Sequence, residues 1–195
     1  MSGGSWCPGK ISSANAEAWD LLASAYETKG EIDKAINCHL RTLKIEPRNP
    51  FTLKDLTELY YMKKDDDSAL YYGLQILEKH PNNSPILKIL CDIYIKRGNY
   101  NEALQIFKNA LETNYPSCSE WLCLGKVYFE MKQYSLALKS FYNALQYRDY
   151  DDEHDEVWDC IEKIYQAMGF KDISFQDNCT RNLYVDFLES IREGS

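Results

Sequence analysis

The large hydrophobic positions of this chain recur at a nearly constant interval. They stand at Trp19, Leu53, Leu87, Trp121 and Trp158, which are separated by 34, 34, 34 and 37 residues. Each is followed by an aliphatic residue three positions later and by a tyrosine seven positions later. Because positions i, i+3 and i+7 lie on one face of an α-helix, the pattern predicts five amphipathic helices of the same construction.

A second helix is predicted after each of the first four. Its marker is an alanine that recurs every 34 residues, at Ala35, Ala69, Ala103 and Ala137. Four residues beyond each alanine lies the position expected to fill the space between the paired helices, occupied by His39, Gly73, Phe107 and Phe141. Turns such as Lys29-Gly30-Glu31 suit a tight reversal between the two helices. The sequence therefore predicts repeated helix-turn-helix units.

This pattern resembles the tetratricopeptide repeat, a 34-residue unit with the pattern W-x2-L-G-x2-Y, then A-x3-F, then P. The resemblance covers about residues 15–169 and recurs five times. It implies an all-α fold, an α-solenoid in which helix pairs stack into a right-handed superhelix. The units are expected near residues 16–49, 50–83, 84–117, 118–151 and, as a partial unit, 155–169.

Both ends of the chain depart from the repeat. Residues 1–14 are rich in glycine and serine and have no periodicity, which predicts a flexible leader. In residues 170–195, hydrophobic residues recur every fourth position from Phe175 to Ile191. We expect a C-terminal capping helix that covers the end of the core, with a docking surface as the alternative interpretation.

Composition narrows the class of protein. The formal net charge of the 195 residues is −8, which argues against a protein that binds nucleic acid through a basic stripe. No apolar run reaches the roughly 18 residues of a membrane span, so membrane insertion is not expected. The seven scattered cysteines contain no CxxC pair and are expected to be reduced thiols. We therefore predict an intracellular protein, located in the cytoplasm or the nucleus.

The sequence offers no catalytic constellation. The three histidines fall in different units, and none has a nucleophile at a useful spacing. His39 stands in a core position, where a hydrogen-bonded structural histidine is expected. No phosphate-binding loop and no metal-ligand spacing is present, so we predict no enzyme, no metal and no cofactor.

In tetratricopeptide proteins the first helix of each pair lines an inner groove that holds extended peptides or partner helices. The resemblance assigns this groove to positions one, five and eight residues beyond each landmark. A row of apolar side chains flanked by charges of both signs would suit a partner with apolar anchors. The alternative is that these residues only shield the packing between repeats. The candidate partner-binding residues are Lys54, Glu58, Tyr61, Lys88, Asp92, Ile95, Leu122, Lys126, Phe129 and Lys163.

One known use of the groove is not expected here. Co-chaperone members of the family hold a C-terminal carboxylate with a set of lysine, asparagine and arginine side chains. When the clamp pattern is aligned from the first repeat unit, the corresponding positions of this chain include Asp20 and Asp55. These carboxylates would repel the ligand, so a carboxylate clamp is excluded.

The acidic excess lies near the C-terminus. Residues 149–195 hold thirteen acids and four bases, and an acidic run fills residues 149–156. The three residues that lengthen the fourth interval enter at this point. We expect an acidic loop that either is solvated and favours the start of the following helix, or docks a basic partner segment. Its candidate residues are Asp151, Asp152, Glu153 and Asp155.

Together these features predict a non-catalytic scaffold or adaptor. A partner peptide or helix would lie in the groove, and the protein would act within a multiprotein assembly. Two alternatives stay open: a co-chaperone with a different binding mode, and a structural subunit that self-associates into a homo-oligomer.

Overall fold

The computed structural model describes residues 8–112, 117–147 and 151–170, together with Arg181 and Tyr184. All regular secondary structure in these ranges is α-helical, which confirms the predicted all-α class. The first eight helices follow one another in the predicted pairs. They are α1 (Pro8–Thr28), α2 (Ile32–Ile45), α3 (Pro50–Met62), α4 (Asp66–Leu77), α5 (Ser84–Arg97), α6 (Tyr100–Leu111), α7 (Cys118–Glu130), α8 (Tyr134–Leu145) and α9 (Asp151–Ala167).

The helices belong to two compact units. The first unit extends to His80 and contains α1–α4, and α2 packs there against both α1 and α3. The second unit starts at Pro81 and contains α5–α9. Within it α7 is the central helix, since it packs against α5, α6, α8 and α9.

The turns inside the four described helix pairs, and the turn that follows α9, share one backbone conformation. In every turn one residue has a positive φ, and the next N–H donates to a tyrosine carbonyl at 2.9–3.0 Å. This bond is typical of a Schellman helix ending. The positive-φ residues are Gly30, Lys64, Gly98, Lys132 and Gly169. The last lies 37 residues after its predecessor, so the fifth unit returns to the same turn register.

Size complementarity sets the approach of paired helices in the core. Gly125 of α7 faces Phe141 of α8, and a Cβ at Gly125 would lie 2.3 Å from the phenyl ring. The second pair has Thr57 in the small position and Gly73 in the large one, and both residues are buried.

A buried glutamate ties two helix starts together in the second unit. Glu120 in the first turn of α7 is fully buried. Its carboxylate accepts hydrogen bonds from the N–H of Ser117 at 2.6 Å and from the hydroxyl of Ser84 at 2.9 Å. Glu120 and Ser117 form a capping box. Because Ser84 is the first residue of α5, the same carboxylate fixes α5 to α7.

The ends of the chain differ from the prediction where they are described. Helix α1 begins at Pro8, so residues 8–14 of the predicted leader are helical, and residues 1–7 lie outside the described chain. Most of the predicted capping segment, residues 170–195, also lies outside it. Arg181 and Tyr184 are helical, and the Tyr184 ring lies 5.8 Å from Trp158 and 5.9 Å from Tyr165 of α9. These two residues therefore pack on the last described helix.

Candidate binding surfaces

On the first unit, the predicted groove residues lie along α3. Lys54, Glu58 and Tyr61 are all partly exposed. The Lys54 Nζ and the Glu58 Oε1 are 3.4 Å apart, and each side chain is about 40% exposed. An ion pair this exposed contributes little stability, so both charges are accessible to a partner.

Next to these residues lies an acidic cluster that surrounds the buried His39 ring. The Nε2 atom of His39 is 2.7 Å from Oε1 of Glu27, and its Nδ1 atom is 3.3 Å from Oδ1 of Asp20. Asp55 of α3 adds a third carboxylate at 3.9 Å. The His39 side chain is 1% exposed, whereas each carboxylate side chain is about one-third exposed. The prediction of a hydrogen-bonded core histidine is confirmed, and the carboxylates around it form an anionic surface.

The environment of Asp55 disfavours its charge. Burial raises the pKa of this carboxyl above its ordinary value. His39 counteracts the rise, and nearby Glu27 adds to it. Sequence analysis places Asp20 and Asp55 in the groove one by one. It does not find the cluster, because the three carboxylates converge only when α1, α2 and α3 pack together.

On the second unit, the predicted groove residues lie on α5, α7 and α9. Lys88 and Ile95 are partly exposed, and Asp92 and Lys163 are exposed. Leu122 is fully buried, so the prediction that it contacts a partner needs correction. The reason is that α7 is covered by neighbours on several sides. Phe129 is partly exposed and packs on the edge of the core, 6.0 Å from the ring of Tyr134.

Lys126 connects α7 with α9. Its Nζ lies 2.6 Å from Oε1 of Glu156. Burial by itself would lower the pKa of the Lys126 ammonium, but the hydrogen bond and the charge of Glu156 raise it well above the ordinary value. Lys126 therefore carries a fixed positive charge on this side of the second unit.

The residues predicted as an acidic loop belong to a helix. Asp151, Asp152, Glu153 and Asp155 lie in the first turns of α9. Asp155 Oδ1 lies 2.8 Å from Nη1 of Arg181, whose guanidinium is also 5.7 Å from the Trp158 ring. Placement at the start of a helix, where the backbone N–H groups carry partial positive charge, is what the first interpretation requires, and both interpretations stay predictions.

The described residues offer no metal centre, since no group of three or more His, Cys, Asp or Glu could hold an ion there. Five cysteines in these ranges are free thiols: Cys38, Cys91, Cys118, Cys123 and Cys160. None of the described helices combines the length and the apolar character needed to cross a membrane.

Comparison with known proteins shows which families contain this arrangement of helix pairs. The family model of the TT21 fifth ARM repeats domain matches residues 52–154, just over half of the 195-residue chain. A tetratricopeptide repeat model matches residues 18–51. The chain belongs to the TT21 fifth ARM repeats family, and its repeats are tetratricopeptide repeats. No curated protein matches it significantly in sequence.

Solved tetratricopeptide structures share the fold. A crystal structure of the MamA protein has a TM-score of 0.67 at 19% identity, over 82% of this chain and 86% of that one. TTC0263, a thermophilic TPR protein of Thermus thermophilus, has a TM-score of 0.60 at 22% identity, over 89% of this chain and 98% of that one. YrrB is described as a TPR protein with an unusual peptide-binding site. It has a TM-score of 0.61 at 15% identity, over 84% of this chain and 82% of that one. At these identities the likeness establishes the α-solenoid fold class and nothing further.

Proposed function

We propose that this tetratricopeptide protein is a non-catalytic scaffold that binds segments of partner proteins. One binding surface is the α1 and α3 side of the first unit, with Lys54, Glu58 and Tyr61. The other is formed by α5, α7 and α9 of the second unit, with Lys88, Ile95 and Phe129. The proposal places the protein in the cytoplasm or nucleus, within a larger assembly.

The observation that carries this proposal is the exposure pattern of the predicted groove positions. Nine of the ten side chains are at least partly exposed, although the repeat landmarks beside them are mostly buried. They include two partly exposed aromatic rings, Tyr61 and Phe129, among charges of both signs. Such a mixture suits a segment with apolar anchors and polar flanks. The fold itself is typical of binding scaffolds.

Self-association is the second candidate, and one feature of α1 favours it. Leu22 occupies a core position of the repeat pattern, yet it is 39% exposed, and neighbouring Leu21 is 74% exposed. A second copy of the chain could cover these leucines. The co-chaperone alternative has no comparable support, because Asp20, Glu27 and Asp55 present negative charge where a carboxylate clamp requires positive charge.

The experiment is a pull-down from cell lysate, read by mass spectrometry. The test variant combines Tyr61→Ala with Phe129→Ala. The control variant combines Leu74→Ala on α4 with Leu136→Ala on α8, which removes one exposed apolar side chain from each unit outside the proposed surfaces. Circular dichroism first verifies that both variants are as helical as the wild type.

Partners lost by the test variant and kept by the control would support the proposed surfaces and identify the process. Equal retention by both variants would contradict them. Light scattering of the purified protein separates the second candidate. A mass that rises with concentration, and that falls in a Leu21→Gln variant, would favour self-association through α1.

A further inference from the structure

A groove on the opposite helices of the first unit, α2 and α4, has different chemistry from the proposed surfaces. It has a volume of about 650 Å³, and its apolar floor is formed by Leu40, Leu43 and Tyr72. Tyr71 stands at its edge with 63% of its surface exposed. An exposed tyrosine beside an apolar floor is typical of an anchor point for a partner.

The Tyr71 ring is held in place by its neighbours. It packs edge-to-face on Tyr72, with ring centroids 5.0 Å apart and an interplanar angle of 78°. Tyr72 in turn stacks on Tyr60 of α3, at 5.6 Å and 10°. Because the ring is ordered in advance, a ligand that packs on it loses little side-chain entropy on binding.

The charges along this groove are positive. Arg41 and Lys44 line it, and no acidic side chain does so among the described residues. They are three residues apart on α2, so they share one helix face. The Arg41 guanidinium is placed 4.6 Å from the Trp19 ring. This local charge contrasts with the net charge of −8 of the whole chain and with the acidic cluster around His39.

The positive charge continues beyond Tyr71. An adjoining cavity of about 260 Å³ shares Tyr71 and Gln75 with the groove. It is lined by two cationic side chains, Arg48 and Lys79, against one acidic residue, Glu78. Tyr71 therefore stands between two concave regions in which basic side chains predominate.

We infer that the α2 and α4 groove is a second docking site, which takes an acidic segment of a partner protein. An aromatic side chain of that segment packs on Tyr71. Carboxylates next to it pair with Arg41 and Lys44, while those on its other side approach Arg48 and Lys79. Charge complementarity selects this occupant, since a basic segment would meet like charges along the groove.

A protein segment fits better than a nucleic acid. Single-stranded nucleic acids also combine negative charge with stacking rings. However, their binding depends on many phosphate contacts, and the negative charge of the remaining surface would repel a polyanion. An acidic segment of six or seven residues needs only the few cations that the groove provides.

The probe is a fluorescein-labelled peptide, Asp-Glu-Asp-Phe-Asp-Glu-Asp, titrated with the full chain in a fluorescence anisotropy assay. We expect saturable binding that weakens about three- to tenfold between 50 and 200 mM salt. Tyr71→Ala and Lys44→Glu should each weaken binding at least tenfold. A peptide with Asn and Gln in place of Asp and Glu should bind at least tenfold more weakly.

Two control variants match these changes. Phe51→Ala removes a more exposed aromatic ring of the same unit, and Lys29→Glu reverses an exposed charge outside the groove. Neither should change the dissociation constant more than twofold. Equal weakening by Tyr71→Ala and Phe51→Ala, or equal binding of the amide peptide, would overturn the assignment. So would tighter binding of a single-stranded oligonucleotide, or a homodimer that Tyr71→Ala dissociates.

Discussion

At the scale of single residues, the contact between Gly125 and Phe141 shows how the absence of a Cβ allows α7 and α8 to pack closely. The tetratricopeptide pattern has a small residue at the position of Gly125, and the structure shows why a larger one would not fit. A Cβ would lie 2.3–2.9 Å from three atoms of the phenyl ring. Phe141 is itself fully buried, so its ring has little room to move away.

We expect Gly125→Ala to lower the free energy of unfolding by about 1–3 kcal/mol, because the overlap outweighs the higher helix propensity of alanine. Urea denaturation followed by circular dichroism measures this loss. Phe141→Leu supplies the control, since it removes the ring. The double variant should lose less stability than the sum of the two single variants. A stability gain from Gly125→Ala alone would contradict the contact.

The acidic cluster leads to a prediction about pH. Burial raises the pKa of Asp55, so the folded state binds this proton more tightly than the unfolded state does. The contribution of Asp55 to the stability of the folded state therefore decreases as the pH rises from the unfolded carboxyl value, about 4, through the raised folded value. Asp55→Asn removes the unfavourable charge and should raise the thermal midpoint at pH 7.

The gain from Asp55→Asn should vanish near pH 3, where the wild-type carboxyl is protonated in both states. Thermal unfolding at pH 3, 5 and 7 tests this dependence. Asp159→Asn, at an exposed position of α9, is the matched control and should shift the midpoint less at each pH. A lower midpoint for Asp55→Asn at pH 7 would mean that the interaction with His39 outweighs the cost of burial.

At the scale of elements, the turns show what the repeat register adds to local sequence signals. Gly30 and Gly98 identify two turns directly, because glycine adopts positive φ without strain. Lys64 and Lys132 adopt the same conformation, with φ of 60° and 59°. No local signal marks these lysines, but each stands 34 residues after a glycine in the same turn. Here the constraint comes from the repeated helix pair.

These two lysines lead to a prediction of higher stability. A non-glycine residue in the left-handed region costs about 1 kcal/mol, and part of this is recovered when glycine replaces it. We expect Lys64→Gly and Lys132→Gly each to increase the free energy of unfolding by about 0.5–1 kcal/mol, measured in urea. The reverse change at the equivalent position, Gly98→Lys, should decrease it by a similar amount. Destabilisation by both glycine variants would show that the lysine side chains contribute more than the strain costs.

The elements also show where prediction from sequence ends. The landmarks and alanines predict the helix pairs well, because periodic burial is a local property of each helix. The offset from Trp121 assigns Leu122 to the groove. Lys54 and Lys88 share that offset and are partly exposed, but α7 is enclosed by its neighbours and its leucine is buried. Burial at one repeat position depends on which helices cover it, and a single period does not contain that information.

At the scale of the whole molecule, each of the two compact units has a buried hydrophobic cluster among its described residues. One cluster in the first unit includes Leu56, and another in the second unit includes Phe141. The two clusters share no residue. In repeat proteins each unit is stabilised mainly by its neighbours, so a local loss of packing need not spread along the chain.

Glu120 allows this local character to be tested. Glu120→Ala leaves the N–H of Ser117 and the hydroxyl of Ser84 without their buried acceptor, which costs about 1–3 kcal/mol. Hydrogen exchange read by mass spectrometry should then show faster exchange in α5–α9 and unchanged protection in α1–α4. Glu130→Ala, at the exposed end of the same helix, should leave both units unchanged. Faster exchange in α1–α4 of the Glu120→Ala variant would instead mean that the two units unfold as one cooperative body.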